Sequence, residues 1–206
     1  MCSPEERRDV VNEIFKRIKS RLDELDEIRH QLLTDQRDLL SSCRKAMNFI
    51  HSGNVSEAKK IVTEVRKRIQ KVKHISSDAE MFCLISNILR PVKQELVEVE
   101  VLLSIIECQK VPSPEDLGVD VISYTLGLAD VIGELRREVL IAIGKNNLSL
   151  ARQFLEWMRL LFEEISQLTY PDSLIPIRHK TDVGRSLLDR TLSEFLFYKR
   201  SSFLLK

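Results

Sequence analysis

The stretch ISNILRPVKQELVEVEVLLSII, residues 85–106, decides the predicted fold. Residues 97–101 alternate valine with glutamate, which is the period of a β-strand. Over the whole stretch, however, apolar residues recur at alternating spacings of four and three, which is the period of a helix. They are Ile85, Leu89, Val92, Leu96, Val99, Leu103 and Ile106. The longer pattern predicts a helix over about residues 78–109, with a kink at Pro91.

The same predicted helix has a second apolar face. Val97, Val101 and Ile105 form it. A helix that is apolar on two faces is buried on both. On a helical wheel, Glu95 and Glu98 share one flank between these faces, whereas Glu100 lies on the other. The sequence therefore predicts two carboxylates in the crease between two packing surfaces.

The rest of the chain also predicts helices, because helical spacing continues on both sides and breakers are sparse. Only six Gly and six Pro occur in 206 residues. A first helix of about 45 residues runs to Gly53 and is too long for a compact domain, so it should project or serve an assembly. Further helices are predicted to about residue 73, over 119–143, to about 168 and near the C-terminus, with a short turn in KVPSPEDLG. We predict an all-α, single-domain bundle of six or seven helices over residues 1–206.

Composition excludes several classes of protein. The formal net charge is +1, so no global basic bias indicates a nucleic-acid partner. The four cysteines are widely spaced and form no C-x-x-C pair, which predicts free thiols in a reducing compartment. The polar N-terminus does not resemble a signal peptide, and no apolar run reaches the length of a membrane span. We therefore expect a cytoplasmic protein.

A second acidic pair lies in GLADVIGELRREVL, residues 127–140. Asp130 and Glu134 are one turn apart and point away from a predicted apolar seam. The members of that seam are Val121, Leu128, Ile132, Leu135 and Val139. Gly127 and Gly133 leave a gap in side-chain cover, which suits close approach of another backbone or of a ligand.

Two acid pairs on facing helices would form a cluster of hard oxygen ligands, which select Mg²⁺ or Mn²⁺. Such ions serve phosphodiester hydrolysis. Spacing alone favours the simpler alternative, in which Glu95 and Glu98 are solvated and Glu134 pairs with a neighbouring arginine, because acids at these spacings are common in helices.

The first helix carries a basic stripe. His30, Arg37, Arg44 and His51 recur every seven residues, and Arg29 and Lys45 flank them. Such a stripe could follow a phosphate backbone. The alternative, which the residues alone favour, is an ordinary solvated helix face.

Three segments resemble the translin/TRAX family. YTLGLADVIGELRREVLIAIGKNN, residues 124–147, resembles the segment around the family's GVADLTGEL motif. QELVEV, residues 94–99, resembles its QEYVEA motif, and residues 26–51 resemble its first helix. The resemblance covers nearly the whole chain in order, and the two acidic motifs are its most specific part.

The resemblance implies an all-α fold of about seven helices that assembles into a closed shell, here a homo-oligomer such as an octamer. It also implies a Mg²⁺- or Mn²⁺-dependent endoribonuclease that cuts single-stranded RNA inside the shell. Its acidic residues fall on Glu95, Glu98, Asp130 and Glu134, which would hold the metal, with Glu98 or Asp130 orienting the attacking water. All four are present, and the N-terminus is short, so the chain is most similar to archaeal TRAX-like proteins.

The family's nucleic-acid surface draws on the first helix. The matching positions here are Arg29, Arg37, Arg44 and Lys45. Two other functions stay open. One is a non-catalytic shell that binds single-stranded RNA or DNA, as translin does. The other is an all-α nucleotide pyrophosphohydrolase, against which the D-x-x-x-E spacing of Asp130 and Glu134 counts.

Overall fold

A computed structural model describes residues 4–73 and 78–204. Seven helices follow one another along these ranges. They are α1 (Pro4–His51), α2 (Val55–Lys73), α3 (Ala79–Ile106), α4 (Pro114–Leu117), α5 (Val121–Gly144), α6 (Leu148–Ser166) and α7 (Arg178–Leu204). No strand occurs in the described residues, so the predicted all-α class is confirmed, and so is the long first helix of 48 residues.

Polar side chains at the helix starts explain why the boundaries follow the sequence. Asp78 accepts a hydrogen bond from the Met81 amide at the start of α3. Asp120 does the same for the Ser123 amide at the start of α5. These carboxylates satisfy amides that lack a partner in the first turn. Within the predicted linker, Ser113 and Asp116 form a reciprocal capping box that makes α4.

Helix α3 lies at the centre of the bundle and packs against α1, α2 and α5. Both of its predicted apolar faces are buried, since Leu96, Val97, Val99 and Val101 are all fully enclosed. The helix continues through Pro91, which removes one backbone donor. Gln36, the residue that interrupts the apolar spacing of α1, donates a side-chain hydrogen bond to the nearby Ile88 carbonyl.

Contacts between side chains show in which direction each helix runs relative to its neighbours. Arg21 of α1 contacts Glu80 at the start of α3, and Arg44 contacts Glu95 further along, so α1 and α3 are parallel. Lys93 reaches Asp120 at the start of α5, so residues 107–120 turn back beside α3 and α5 then runs parallel to it. Four parallel helices, α1, α3, α5 and α7, therefore form the frame. Helices α2 and α6 are the antiparallel returns, as Arg68–Asp35 and the short α5–α6 turn indicate.

The N-terminal part of α1 projects from the bundle, as its length predicts. Its apolar residues are exposed, with Phe15 at 65% and Leu22 at 59%. Burial on this helix begins near Leu32. The predicted seam on α5 is also wrong at its first position, because Val121 is 65% exposed, whereas Ile132, Leu135 and Val139 are buried. Val121 lies on the outer face of the first turn of α5, whereas its neighbours Val119 and Ser123 are buried.

The cysteines behave as expected within the described residues. Cys43 is a buried free thiol, and Cys83 and Cys108 are exposed free thiols, while Cys2 lies outside the described residues. Burial, together with the nearby carboxylates Glu95 and Glu98, raises the pKa of Cys43 to about 12. Among the helices described, none is long and apolar enough to cross a membrane.

Candidate metal and nucleic-acid site

The two acidic pairs come together where α5 crosses α3. Gly127 makes this contact close: a Cβ there would lie 2.8 Å from the Gln94 carbonyl oxygen and 2.8 Å from the Val97 Cβ. The missing side chain therefore lets the two helices approach directly, which confirms close backbone approach at Gly127. Gly133 differs, because a Cβ there would meet only Leu187 Cδ1, at 3.9 Å.

The four acids influence one another electrostatically. Burial, and then the charges of Asp130, Glu95 and Glu134, raise the pKa of Glu98 to about 9. Burial also raises the pKa of Glu95, partly offset by Arg44 and reinforced by Asp130 and Glu134. Carboxylates respond in this way when they share a poorly solvated space with other negative charges. The predicted set Glu95, Glu98, Asp130 and Glu134 is thus one electrostatic cluster.

Three cationic side chains from two other helices face this cluster. Arg44 of α1 lies 3.9 Å from the Glu95 carboxylate, and Lys180 of α7 forms an ion pair with Asp130. His51, the last residue of α1, contacts Glu134 at 2.7 Å through Nε2 and Glu138 at 2.6 Å through Nδ1. Burial alone would lower the pKa of His51, but these two hydrogen bonds outweigh it and raise the pKa.

Three of these residues were missed or misassigned from the sequence. His51 was predicted on the basic stripe, yet its side chain is only 4% exposed and faces α5. In the sequence, its position directly after the apolar Ile50 at the end of α1 could have indicated that it is buried. Glu138 lies one turn beyond Glu134, so periodicity could have found it. Lys180 follows a loop with two prolines, and the sequence around it does not indicate that it would lie beside the acids.

The donor set fits a hard divalent cation. We call Glu95, Glu98, Asp130, Glu134 and Glu138 with Arg44, His51 and Lys180 the acidic centre. Five carboxylates against three cations leave an excess of two negative charges when all are ionised, and carboxylate oxygens suit Mg²⁺ or Mn²⁺. Among the described residues, no three His, Cys, Asp or Glu side chains already converge as ligands. Four of the five carboxylates pair instead with Arg44, His51 or Lys180.

The basic stripe is shorter than predicted but borders the acidic centre. Arg29, Arg37, Arg44 and Lys45 are all exposed on α1. Arg29 contacts Asp26 at 3.5 Å, and the Lys45 ammonium lies 6.0 Å from the Phe49 ring centre. Arg44 joins the two surfaces, because it belongs to the stripe and also contacts Glu95. The roles of these four residues stay predictions.

The helical fold has counterparts in known proteins. The chain is 31% identical over 175 residues to an uncharacterised protein of Methanocaldococcus jannaschii, with 84% of this chain and 77% of that one covered. The crystal structure of AfC3PO matches with a TM-score of 0.81 and 28% identity over 91% of this chain and 97% of that one. AfC3PO in complex with duplex RNA matches with a TM-score of 0.76 and 26% identity over 91% of this chain and 97% of that one.

The apo-NeC3PO crystal structure shares the fold at a TM-score of 0.75 and 19% identity, covering 89% of this chain and 96% of that chain. In addition, a family model described as the Translin family matches residues 6–191. That match includes the acidic pairs of α3 and α5, the stripe on α1 and Lys180 of α7. The chain therefore belongs to the translin family.

Proposed function

We propose that the protein is a Mg²⁺- or Mn²⁺-dependent endoribonuclease that cuts single-stranded RNA within a homo-oligomeric helical shell. The observation that carries this proposal is the acidic cluster at the crossing of α3 and α5. There Glu98 is so poorly solvated, and so close to other carboxylates, that its pKa is raised to about 9. Such an arrangement is unfavourable for folding alone, which indicates a functional reason for it.

Glu95, Glu98, Asp130 and Glu134 would hold the cation. A divalent ion there supplies a Lewis acid for phosphodiester hydrolysis. The protein's own residues would have separate tasks. His51 holds Glu134 through a 2.7 Å hydrogen bond. Glu98 or Asp130 would orient the attacking water. Glu98 can do so only in its ionised form, which a bound cation favours over the protonated form of the metal-free protein.

The stripe on α1 would bind the RNA backbone. Arg37, Arg44 and Lys45 are exposed on a face that leads to the acidic centre through Arg44. Cationic side chains along a helix bind phosphates without regard to sequence. The related AfC3PO forms a complex with duplex RNA, which supports RNA as the ligand class. The projecting apolar part of α1, including Phe15, supports self-association.

The test compares cleavage of end-labelled RNA by the wild type and by Glu98→Gln, with Mn²⁺ or with EDTA. Both single-stranded and duplex RNA are offered. We expect the wild type to cut internal bonds of the single-stranded RNA in Mn²⁺ only, and Glu98→Gln to lose at least about 100-fold in rate. The control is Glu100→Gln, since Glu100 lies on the opposite flank of α3 and pairs with Arg66 of α2.

Each alternative function has its own outcome in this experiment. Salt-sensitive RNA binding without metal-dependent cleavage would indicate a non-catalytic binding shell. Hydrolysis of free nucleoside triphosphates in place of RNA would indicate a nucleotide pyrophosphohydrolase. Equal RNA cleavage by the wild type and Glu98→Gln would refute the catalytic assignment. Light scattering of the purified chain tests the shell, which a monomer would contradict.

A further inference from the structure

Lys180 is the cationic residue of the acidic centre that the sequence did not predict. It lies at the start of α7, and its ammonium forms an ion pair with the Asp130 carboxylate. Its positive charge also lowers the pKa of both Glu95 and Glu98, against the larger effect of burial. Lys180 is therefore close enough to all three carboxylates to act as their internal counter-ion.

The ion pair lies at the edge of a cavity between α5 and α7. The cavity has a volume of about 320 Å³, and Asp130, His179 and Lys180 supply its polar wall. Gly133 contributes no side chain, and a Cβ there would meet only Leu187 Cδ1, at 3.9 Å, so the space beside Asp130 is open. The side chains of Lys180 and Asp130 are 26% and 32% exposed, so solvent and solutes reach the pair.

A cation bound by the four acids would compete with Lys180 for Asp130. Two cations on one carboxylate repel each other, and the divalent ion is held by more ligands. The lysine has a flexible stem of four carbons, so its ammonium can leave Asp130 and remain beside the cavity. The anion that would next meet it, given the proposed function, is a phosphate of the RNA.

We propose that the cavity between α5 and α7 is a phosphate subsite for the RNA, and that Lys180 is its phosphate-binding residue, held by Asp130 until a divalent cation replaces it. This inference rests on the proposed function and adds to it a subsite and a residue. Two consequences distinguish it from a structural ion pair. Removing the ammonium should strengthen metal binding and at the same time weaken the binding and cleavage of RNA.

The experiment uses Lys180→Met, which removes the charge but keeps the stem, and Lys180→Arg, which keeps the charge. Arg190→Met is the matched control, because Arg190 is exposed on the same helix about three turns further on. Titration calorimetry with Mn²⁺ alone should show binding about fivefold tighter in Lys180→Met than in the wild type, the scale of a partly exposed ion pair. Lys180→Arg and Arg190→Met should bind Mn²⁺ as the wild type does.

Cleavage kinetics give the second measurement. At saturating Mn²⁺, Lys180→Met should lose about 100-fold in kcat/KM, and Lys180→Arg should recover most of that loss. Unchanged Mn²⁺ affinity in Lys180→Met, or unchanged kcat/KM, would overturn the inference. If the wild type itself does not cleave RNA, the proposed function fails. The phosphate subsite is then tested by fluorescence anisotropy, which compares the binding of a labelled single-stranded RNA by the wild type and Lys180→Met in Mn²⁺. Weaker binding by Lys180→Met then supports the phosphate subsite, and equal binding overturns it.

Discussion

His51 lies between two carboxylates of α5, with Nε2 2.7 Å from Glu134 and Nδ1 2.6 Å from Glu138. An ionised carboxylate only accepts hydrogen bonds, so a histidine that serves two of them donates from both nitrogens as an imidazolium. This pair of contacts ties the C-terminal end of α1 to the middle of α5. It also balances part of the negative charge of the acidic centre.

We expect His51→Gln to destabilise the protein by roughly 3 kcal/mol, because it leaves the buried carboxylate of Glu138 without its cationic partner. Urea denaturation followed by circular dichroism measures this change. The control is His30→Gln on the same helix. The His30 side chain is 71% exposed and lies 3.5 Å from the exposed Asp26, so its loss should change stability little. Equal effects of the two substitutions would contradict the bridge.

Gly127→Ala should destabilise the protein by about 1–3 kcal/mol, because the new methyl group would overlap the Gln94 carbonyl and Val97, each only 2.8 Å from it. Gly133→Ala is the matched control on the same helix. It meets only Leu187, at 3.9 Å, so the higher helix propensity of Ala should stabilise the protein by about 0.5–1 kcal/mol. Thermal unfolding of both variants tests the contrast, and effects of the same sign would refute the close contact.

Periodicity predicted the helices well because each boundary has a local cause. The seven-position seam outweighed the valine–glutamate alternation of residues 97–101, and Asp78 and Asp120 cap the helices that follow them. The helical wheel also separated the acids correctly. Glu95 faces Arg44 of α1, whereas Glu100 faces Arg66 of α2.

The partners of the acids could not be predicted from spacing. Lys180 reaches Asp130 only because α7 runs parallel to α5, and that direction depends on tertiary packing of distant elements. His51 shares the seven-residue repeat of the stripe, yet the end of α1 turns it towards α5. Where α1 projects from the bundle, as at Ile14, apolar spacing continues although burial does not, and Val121 is exposed on the outer face of α5. Local pattern thus records which face is apolar, not what covers it.

The metal-free protein should become less stable as pH rises, because Glu98 keeps its proton in the folded state up to about pH 9 but loses it near 4.5 when unfolded. The folded state then binds more protons across that window, so the free energy of unfolding falls with increasing pH. Glu98→Gln cannot ionise and should remove this part of the slope. In EDTA, it should therefore gain stability relative to the wild type between about pH 5 and pH 8, by on the order of a few kcal/mol.

His51 contributes a slope of the same sign, since its raised pKa gives stability that is lost as pH rises. Glu98→Gln should therefore reduce the pH dependence without abolishing it. Urea titrations of both proteins at several pH values measure the slopes. Parallel stability curves for the wild type and Glu98→Gln would show that Glu98 is ionised in the folded protein and would contradict the strong coupling within the acidic cluster.

Binding of single-stranded RNA should weaken as salt increases, with a slope set by the number of phosphates that the α1 stripe neutralises. Removing Arg37 and Arg44 together as Ala should lower the slope of log affinity against log salt by about 1.4, or about 0.7 for each lost phosphate contact. Arg68→Ala is the control, since Arg68 of α2 already pairs with Asp35 at 2.7 Å. Fluorescence anisotropy with a labelled RNA in EDTA gives the slopes without cleavage. An unchanged slope in the double variant would place the phosphate-binding surface elsewhere, because two neutralised phosphates cannot be lost without releasing fewer counterions.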